Sequence, residues 1–297
     1  MSQPSPNIQL GCPQWSHPDW QKHFFTTRLP QNKHLTEYSR FYTSVEGNTT
    51  FYALPSAQTV LNWSEQVPDN FRFCFKFPQQ ITHKQGLAQS ENEISQFINL
   101  FEPMLENQQI GAFQLQLPPY FSGRQLAELN AFLNQYSQTI PLAVEVRHPD
   151  FFNKSDTEKH LNQMLMHYQV DRVMIDTRPV HSQQASTPEI IDAQQKKPKL
   201  PVHVLATANQ PIVRFIGQTD LAANRHFIKP WLMHFKSWLE QNKQPYLFIH
   251  TADNAQVHQL TRLWLEMLTE YLGYRPFNSE YFPAELEQQQ KPQAELF

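Results

Sequence analysis

One short segment of the sequence places three ionisable side chains at the end of an apolar run. Residues 142–146 are apolar except for Glu145, and Arg147 and His148 follow directly. A lone charge is costly to bury, so this arrangement has two interpretations. The three groups either satisfy one another as an ion pair and a turn cap, or they line a reactive pocket at the mouth of a barrel.

Similar side chains recur at the ends of the other predicted strands. In a (β/α)8 barrel the carboxyl ends of all strands meet at one face, so such side chains are expected to converge there. The candidate catalytic residues are Glu46, Glu145, His148 and Asp176. The candidate ligand-binding residues are Trp15, Lys76, His83, Arg147, Arg178, Arg214 and His250.

Each candidate also has a purely structural interpretation. Glu145 and Arg147 are two residues apart and share a strand face, where they could pair with neighbours. Asp176 could pair with Arg178 or Arg214, and His148 could cap a turn because a proline follows it. Buried ion pairs perturb pKa values as catalytic groups do, so residue type alone does not separate the two interpretations.

These residue types suit two kinds of bound group. A divalent metal needs three or four convergent oxygen and nitrogen ligands. The residues that could supply them are Glu46, Glu145, His148, Asp176 and His250. No local motif such as HExxH supports that site, and no other cofactor is evident. A phosphate could instead bind the basic residues Lys76, Arg147, Arg178 and Arg214. The lysine-rich segment 196–199 could contribute, although a solvated surface is the simpler interpretation.

Eight short β-branched or aromatic runs alternate with segments of helical periodicity and would position these side chains. The predicted strands are 8–12, 44–48, 71–77, 110–117, 142–148, 172–177, 211–217 and 245–251. A doubly wound sheet that binds a nucleotide would need a glycine-rich first turn, but the chain has 7 glycines and neither GxGxxG nor GxxxxGK[ST]. The sequence therefore predicts a single (β/α)8 TIM barrel over residues 1–283.

Two segments depart from this alternation. Residues 178–210 form a long connection after the sixth strand that is rich in Pro, Gln and Lys. A connection of that length is expected to be a functional lid or a disordered loop, and residues 187–197 are its one helix candidate. Residues 284–297 are predicted to form a flexible polar tail.

The last five residues, QAELF, resemble the pentapeptide by which bacterial proteins bind the sliding clamp, with Gln293 first and Leu296 and Phe297 last. Two apolar side chains on a polar tether could fill a hydrophobic pocket of a partner while the glutamine makes an orienting hydrogen bond. A frayed terminus that folds back onto the barrel is the alternative. The motif predicts recruitment to DNA and a role in DNA metabolism.

Seven motifs taken together resemble the YecE-like family, bacterial proteins of unknown function with a TIM-barrel fold. They are GCPQWSHPDW, VEGNTTFYALP, FRFCFKFPQQITH, LQLPPYF, VEVRHPDFF, DTRPVH and RFIG. The resemblance runs from residue 8 to about residue 272 and implies the fold. It also implies similarity to the barrels of sugar-phosphate isomerases and of the endonuclease IV type of repair enzyme, but it implies no single activity.

Composition excludes several classes of protein. The 297 residues carry a formal net charge of −3, which does not suit a protein that coats nucleic acid through bulk positive charge. Cys12 and Cys74 form no CxxC motif, which indicates a reducing compartment and no disulfide framework. No secretory signal and no run of about 18 apolar residues is present, so a cytoplasmic protein without a membrane span is expected.

Three functions remain open on the sequence, which does not decide whether the chain is an enzyme. The first is an enzyme or binding protein for nucleic acid or a phosphorylated ligand, recruited to DNA by the sliding clamp. The second is a small-molecule isomerase or hydrolase of the sugar-phosphate kind, in which Glu46 acts with Glu145 or His148 as acid and base. The third is a barrel that binds a ligand without catalysis.

Overall fold

Eight parallel strands form a nearly closed barrel in the computed structural model of the chain. The structure describes residues 7–21, 23–274 and 281–294, without the side chains of 290–294. The strands are β1 (Gln9–Gly11), β2 (Ser44–Gly47), β3 (Arg72–Lys76), β4 (Ile110–Gln116), β5 (Leu142–Glu145), β6 (Asp171–Asp176), β7 (Ile212–Ile216) and β8 (Tyr246–His250). Their order is β1-β8-β7-β6-β5-β4-β3-β2. Backbone hydrogen bonds from Thr43 N to Leu10 O and from Glu46 N to Cys12 O join β1 to β2, the two ends of this order.

Helices follow most strands and pack on the outside of the barrel. They are α1 (His34–Tyr38), α2 (Ala57–Glu65), α3 (Glu91–Leu100), α4 (Glu102–Glu106), α5 (Leu126–Tyr136), α6 (Asp156–His167), α7 (Arg178–Ser182), α8 (Pro188–Lys196), α9 (Arg225–Glu240), α10 (Val257–Leu272) and α11 (Pro283–Ala294). The hydroxyl of Ser56 caps α2 by accepting a hydrogen bond from Thr59 N at 3.1 Å. In the part of the chain that the structure describes, no helix is both long and apolar enough to cross a bilayer.

Alternation along the strands separates an inner layer of side chains from an outer one. The buried residues that touch one another inside the barrel are Cys74, Ala112, Ala143, Val173, Ile212, Tyr246 and Phe248. The intervening residues, such as Phe75, Val144 and Phe215, point outward into the larger core beneath the helices. Two residues further along, most inner positions are polar, and these include Lys76 and Arg214, whereas Ile175 of β6 is apolar. The strand period therefore directs charged side chains into the carboxyl end of the barrel.

The predicted strands are confirmed, with one displaced boundary. Seven of the eight observed strands begin and end within one residue of the predicted limits. The exception is β5, which ends at Glu145 rather than at His148. The chain leaves the sheet there because a single turn of 3-10 helix, Pro149–Phe151, follows with His148 as its N-cap. The proline thus ends the strand earlier than the apolar pattern indicates.

The connection after β6 is more ordered than the sequence predicts. It contains α7 and α8, and the second of these contains most of the helix candidate 187–197. The amide of Gln194 donates to Val180 O at 2.8 Å and to Gln183 O at 3.0 Å, which joins the two helices. A segment without regular secondary structure then runs from Lys197 back to β7.

Helix α11 occupies much of the segment that the sequence assigns to a flexible tail. Ala284 is buried and its amide donates to Phe24 O at 3.2 Å. The carboxylate of Glu285 pairs with Arg262, and that of Glu287 accepts a hydrogen bond from Thr27 N at 2.8 Å. The first half of this segment is therefore bound to the barrel. The side chain of Gln293, together with Leu296 and Phe297, lies outside the described residues, so the pentapeptide stays a prediction.

Candidate ligand site at the barrel mouth

Two fully buried carboxylates and a guanidinium form the centre of the polar layer. Glu46 extends from β2, Glu145 from β5 and Arg214 from β7. Arg214 binds Glu46 through Nε to Oε2 at 3.0 Å and through Nη2 to Oε1 at 2.9 Å. Its Nη1 donates to Glu145 Oε2 at 2.5 Å. One guanidinium therefore bridges carboxylates from two different strands.

Two more basic side chains complete the pairing of these carboxylates. Lys76 Nζ lies 3.0 Å from Glu46 Oε1 and donates to Gln116 Oε1 at 2.9 Å. Arg147 binds the free oxygen of Glu145, with Nε at 2.7 Å and Nη2 at 2.6 Å from Oε1. Every carboxylate oxygen in the layer thus has at least one cationic partner, which is the condition for burying such charges.

The cations keep both carboxylates ionised. Burial alone would raise the pKa of Glu46, but Arg214 and then Lys76 hold that pKa well below its usual value. Burial also opposes ionisation of Glu145, and Arg147 and then Arg214 lower its pKa strongly. A general acid or base needs a pKa near the working pH. The geometry therefore favours the ion-pair interpretation of both carboxylates over the acid–base one.

Burial makes the other titratable groups of the layer less basic. It lowers the pKa of Lys76 to about 8, an effect that Arg214 reinforces and Glu46 opposes. It lowers the pKa of His250 to about 3, although Glu46 acts in the other direction. His250 Nε2 lies 2.9 Å from Glu46 Oε2. Since Glu46 is ionised and can only accept, His250 is a neutral imidazole that donates from Nε2.

A cavity of about 270 Å³ opens above this layer. Its lining residues are Pro13, Gln14, Asn48, Phe51, Tyr52, Lys76, Gln116, Arg147, Lys196, Lys197, Arg214, His250 and Asn254. The charged members of this set are all basic, and there are five of them. The buried carboxylates of Glu46 and Glu145 lie behind their cationic partners. A molecule in the cavity would therefore meet positive charge and hydrogen-bond donors.

Lys197 departs from the solvated-surface interpretation of the lysine-rich segment 196–199. The solvated-surface interpretation suits its neighbour Lys196, which is mostly exposed and pairs with Asp192 at 2.7 Å. Lys197 itself is half-buried and lines the cavity. Burial, and then the nearby positive charges, lower its pKa to about 7. Its place in the longest connection at the carboxyl face is the sequence signal that could have identified it.

An aromatic rim borders the cavity on one side. Tyr52 lines the cavity and is 73% exposed, and the Phe51 ring packs edge-on against it at 5.2 Å. His83 packs edge-on against Phe51 at 5.1 Å and so lies just behind the rim. Burial and the charge of Arg147 lower the pKa of His83. The motif VEGNTTFYALP contains both rim aromatics, and neither is among the candidate site residues predicted from residue type.

The floor of the barrel holds an amide without a hydrogen-bond partner. Gln114 is fully buried and lies beside Lys76 in the register of β3 and β4. Neither its Oε1 nor its Nε2 makes a hydrogen bond among the described residues. Buried amides are almost always hydrogen-bonded. The inner layer therefore has donor and acceptor capacity that water or a ligand can use.

Asp176 and Arg178 lie outside this site. Asp176 is out of phase with the inner residues of β6 and points outward. Its Oδ1 accepts from Arg178 Nε at 2.9 Å, and its Oδ2 accepts from Trp231 Nε1 on α9 at 2.8 Å. The aspartate therefore attaches the start of α7 and the face of α9 to the outside of the sheet. The ion-pair interpretation with Arg178 describes both residues. The alternative partner Arg214 is wrong, because Arg214 binds Glu46 and Glu145 inside the barrel.

Two other predicted site residues have structural contacts. His148 Nδ1 accepts from Asp150 N at 3.2 Å, which is the turn cap considered above. Trp15 packs edge-on against Trp63 at 5.0 Å, in the outer core. The five residues of the suggested metal set thus do not converge. No group of three or more His, Cys, Asp or Glu side chains within the described ranges is arranged to hold a metal ion.

Comparison with known proteins confirms the predicted resemblance. A family model described as "Protein of unknown function DUF72" matches residues 9–282. The UPF0759 protein YecE of Escherichia coli (strain K12) is 43% identical over 261 residues, which cover 88% of this chain and 92% of that protein. The UPF0759 protein YunF of Bacillus subtilis (strain 168) is 22% identical over 304 residues, which cover 93% of this chain and 100% of that protein.

Solved structures confirm the barrel. A DUF72 family protein from Enterococcus faecalis V583 superposes with a TM-score of 0.69 at 19% identity, covering 92% of this chain and 99% of that chain. A DUF72 family protein from Thermotoga maritima MSB8 superposes with a TM-score of 0.66 at 19% identity, covering 88% of this chain and 98% of that chain. At these identities the likeness establishes the fold alone, and any activity has to be inferred from the residues of the site.

Proposed function

The chain belongs to the DUF72 family, and we propose that the mouth of its barrel binds a small anionic molecule, such as a phosphorylated or carboxylated metabolite. The observation that carries this proposal is the cavity of about 270 Å³ whose charged lining residues are all basic. A cavity of this size, near the lower end of the range for ligand sites, suits a compound no larger than a sugar phosphate.

The charge balance of the layer supports an anion. Arg214 and Lys76 share Glu46, and Arg214 and Arg147 share Glu145, so three cations face two carboxylates. Protonated Lys197 adds a fourth cation. The excess positive charge, desolvated in a concave site, would attract a phosphate or a carboxylate, and Arg147 offers the planar donor geometry that both prefer.

Nucleic acid is supported less well than a small molecule. The net charge of the chain is −3, and phosphate-backbone binding relies on extended positive surface. A nucleotide is larger than the sugar phosphate that suits the cavity, so its base would have to lie outside, at the rim formed by Phe51 and Tyr52. An isomerase or hydrolase that uses Glu46 and Glu145 as acid and base is also less well supported, since both are held ionised.

Anion binding is tested by calorimetric titration of the full chain with inorganic phosphate at pH 7. The variant Arg147→Gln removes a cavity cation, whereas the matched control Arg225→Gln removes an exposed arginine that pairs with Glu266. A charge-assisted hydrogen bond contributes about 1.5–3 kcal/mol, so Arg147→Gln is expected to weaken phosphate binding by about tenfold or more. Equal affinities of the two variants, or no binding to the unchanged chain, would refute the proposal.

Sliding-clamp binding by the last five residues is a second proposal, supported by the sequence pattern of Gln293, Leu296 and Phe297. The test measures binding of the purified chain to a bacterial sliding clamp, with and without residues 293–297. A dissociation constant in the micromolar range, which is about −8 kcal/mol, is expected for the full chain. Binding that survives removal of the pentapeptide would show that these residues are not the contact.

A further inference from the structure

Lys197 differs from the other basic residues of the cavity because its ammonium group has no carboxylate partner among the described residues. Lys76 pairs with Glu46, and Lys196 pairs with Asp192. Both arginines of the cavity also bind carboxylates. No ion pair or hydrogen bond of Lys197 Nζ is present in the part of the chain that the structure describes. Its amine is therefore available to a molecule in the cavity.

The backbone holds this amine in place. Lys197 N donates to Ala193 O at 2.9 Å at the end of α8, and Lys197 O contacts His181 Nε2 at 3.3 Å. The next carbonyl, Pro198 O, accepts from Thr177 Oγ1 at 2.7 Å. The residue is thus fastened on both sides to the end of β6 and to α7. A side chain presented by an ordered segment can be aimed at a bound group.

The surroundings of Lys197 favour the neutral amine. The side chain is half-buried, and the positive charges of Arg214 and Lys76 lie near it in the same cavity. Among the described residues, no carboxylate forms an ion pair with the Lys197 amine. These effects lower the pKa of Lys197 to about 7, so a large fraction is unprotonated at neutral pH. A lysine beside another cation in a desolvated site is a recurrent form of activated nucleophile.

We propose that Lys197 forms an imine with an aldehyde or ketone group of the anionic ligand, so that the site processes carbonyl compounds bearing a phosphate or a carboxylate. The inference rests on the proposed anion binding. Arg147 and Arg214 would hold the anionic group while the carbonyl carbon lies against Lys197 Nζ. The site would then combine two separate functions, charge recognition by the arginines and covalent chemistry by the lysine.

The step balances without a redox partner. The lone pair of the neutral amine attacks the carbonyl carbon, and the carbonyl π electrons move to oxygen. The nitrogen loses a proton and the oxygen gains one, which gives a carbinolamine. A second proton on that oxygen, donated by Lys76, an ammonium beside Glu46 within the cavity, lets water leave as the C=N bond forms. This gives a protonated imine and leaves Lys76 neutral. One water is released and no electrons are gained or lost.

Lys76 is the competing nucleophile, and its contacts argue against it. Its Nζ lies 3.0 Å from Glu46 Oε1 and 2.9 Å from Gln116 Oε1, both of which stabilise the protonated form. Its pKa of about 8 is also higher than that of Lys197. Lys76 is therefore expected to remain an acid while Lys197 reacts.

The test is reductive trapping with glyoxylate, which carries both an aldehyde and a carboxylate. The full chain is incubated with glyoxylate and cyanoborohydride at pH 7, and peptide mapping measures carboxymethylation at each lysine. Lys199, which is exposed and two residues further along, is the internal reference. Because Arg147 and Arg214 are expected to hold the carboxylate of glyoxylate with its aldehyde against Lys197, Lys197 is expected to react at least about tenfold faster than Lys199.

Two variants and a competitor make the result decisive. Lys197→Arg keeps a positive charge but cannot form an imine, so labelling at this position is lost while phosphate binding remains measurable. The matched control Lys199→Arg leaves the labelling of Lys197 unaltered. Inorganic phosphate is expected to slow the labelling of Lys197 and not that of Lys199.

The two proposals fail in different ways. If phosphate binds but adducts form on Lys76, or evenly over the surface lysines, the imine is refuted and anion binding stands. If phosphate neither binds nor protects, the proposed function is refuted, and the inference falls with it.

Discussion

Replacement of Arg214 by methionine is expected to destabilise the barrel strongly. The substitution keeps an apolar stem of similar length but removes the guanidinium that binds Glu46 twice and Glu145 once. Removal of one member of a buried ion pair costs about 3–5 kcal/mol. Glu46 keeps Lys76 as a partner and Glu145 keeps Arg147, so a loss within that range, rather than twice it, is expected.

The pH dependence of this loss identifies its cause. In the unchanged chain both carboxylates have a lowered pKa, so they stabilise the fold above their unfolded pKa values and lose that effect as pH falls through the folded values. Without Arg214 the burial of Glu46 and Glu145 is less compensated, and their folded pKa values rise. The gap in stability between variant and unchanged chain should therefore narrow as pH falls through the raised folded pKa values of the variant.

Urea denaturation at several pH values measures both effects, since the midpoint and slope give the free energy of unfolding. The matched control is Arg225→Met, which breaks an exposed pair with Glu266 and is expected to cost less than about 1 kcal/mol. A loss at position 214 no larger than that at position 225, or a gap that widens at acid pH, would refute the reasoning.

Three further predictions address separate features of the site. Gly47→Ala should lower the free energy of unfolding by about 1–3 kcal/mol, because an added Cβ would lie 2.3 Å from the Phe75 ring; an unaltered thermal midpoint would contradict this. Asp176→Asn should reduce thermal stability but leave phosphate affinity unaltered, since Asp176 points outward; a tenfold loss of affinity in calorimetry would place it at the mouth. Sulfate, whose charge is constant, should bind more weakly as pH rises from about 6 to about 8, because Lys197 and then Lys76 lose their protons; an affinity that is flat or rises would contradict the role of Lys197.

The strands were predictable because their residue types and spacing are local properties. The β-branched and aromatic runs mark each strand, and the helical segments between them are the crossover connections that parallel strands need. The face of the sheet on which each side chain lies was harder to predict. In β6 every residue is buried, so the pattern does not show whether Asp176 or its neighbour Ile175 faces the interior.

The pairing within the site could not be read from the sequence. Arg214 contacts Glu46 across 168 residues and Glu145 across 69, and no local spacing encodes such contacts. The same holds for Lys197. The segment around it has the composition of a solvated loop, but the carbonyl and amide of Lys197 are bound to α7 and α8. Only closure of the barrel brings these elements to one cavity.

The bridge made by Arg214 has a mechanical consequence for ligand binding. Arg214 crosses the interior of the barrel and links β7 to β2 and β5. These links hold the width of the opening constant before any ligand binds. The cations are therefore already ordered when a ligand binds. Binding does not have to order flexible side chains, so the loss of conformational entropy on association is smaller. Selectivity should accordingly follow ligand size closely, because a braced rim cannot widen for a bulkier anion.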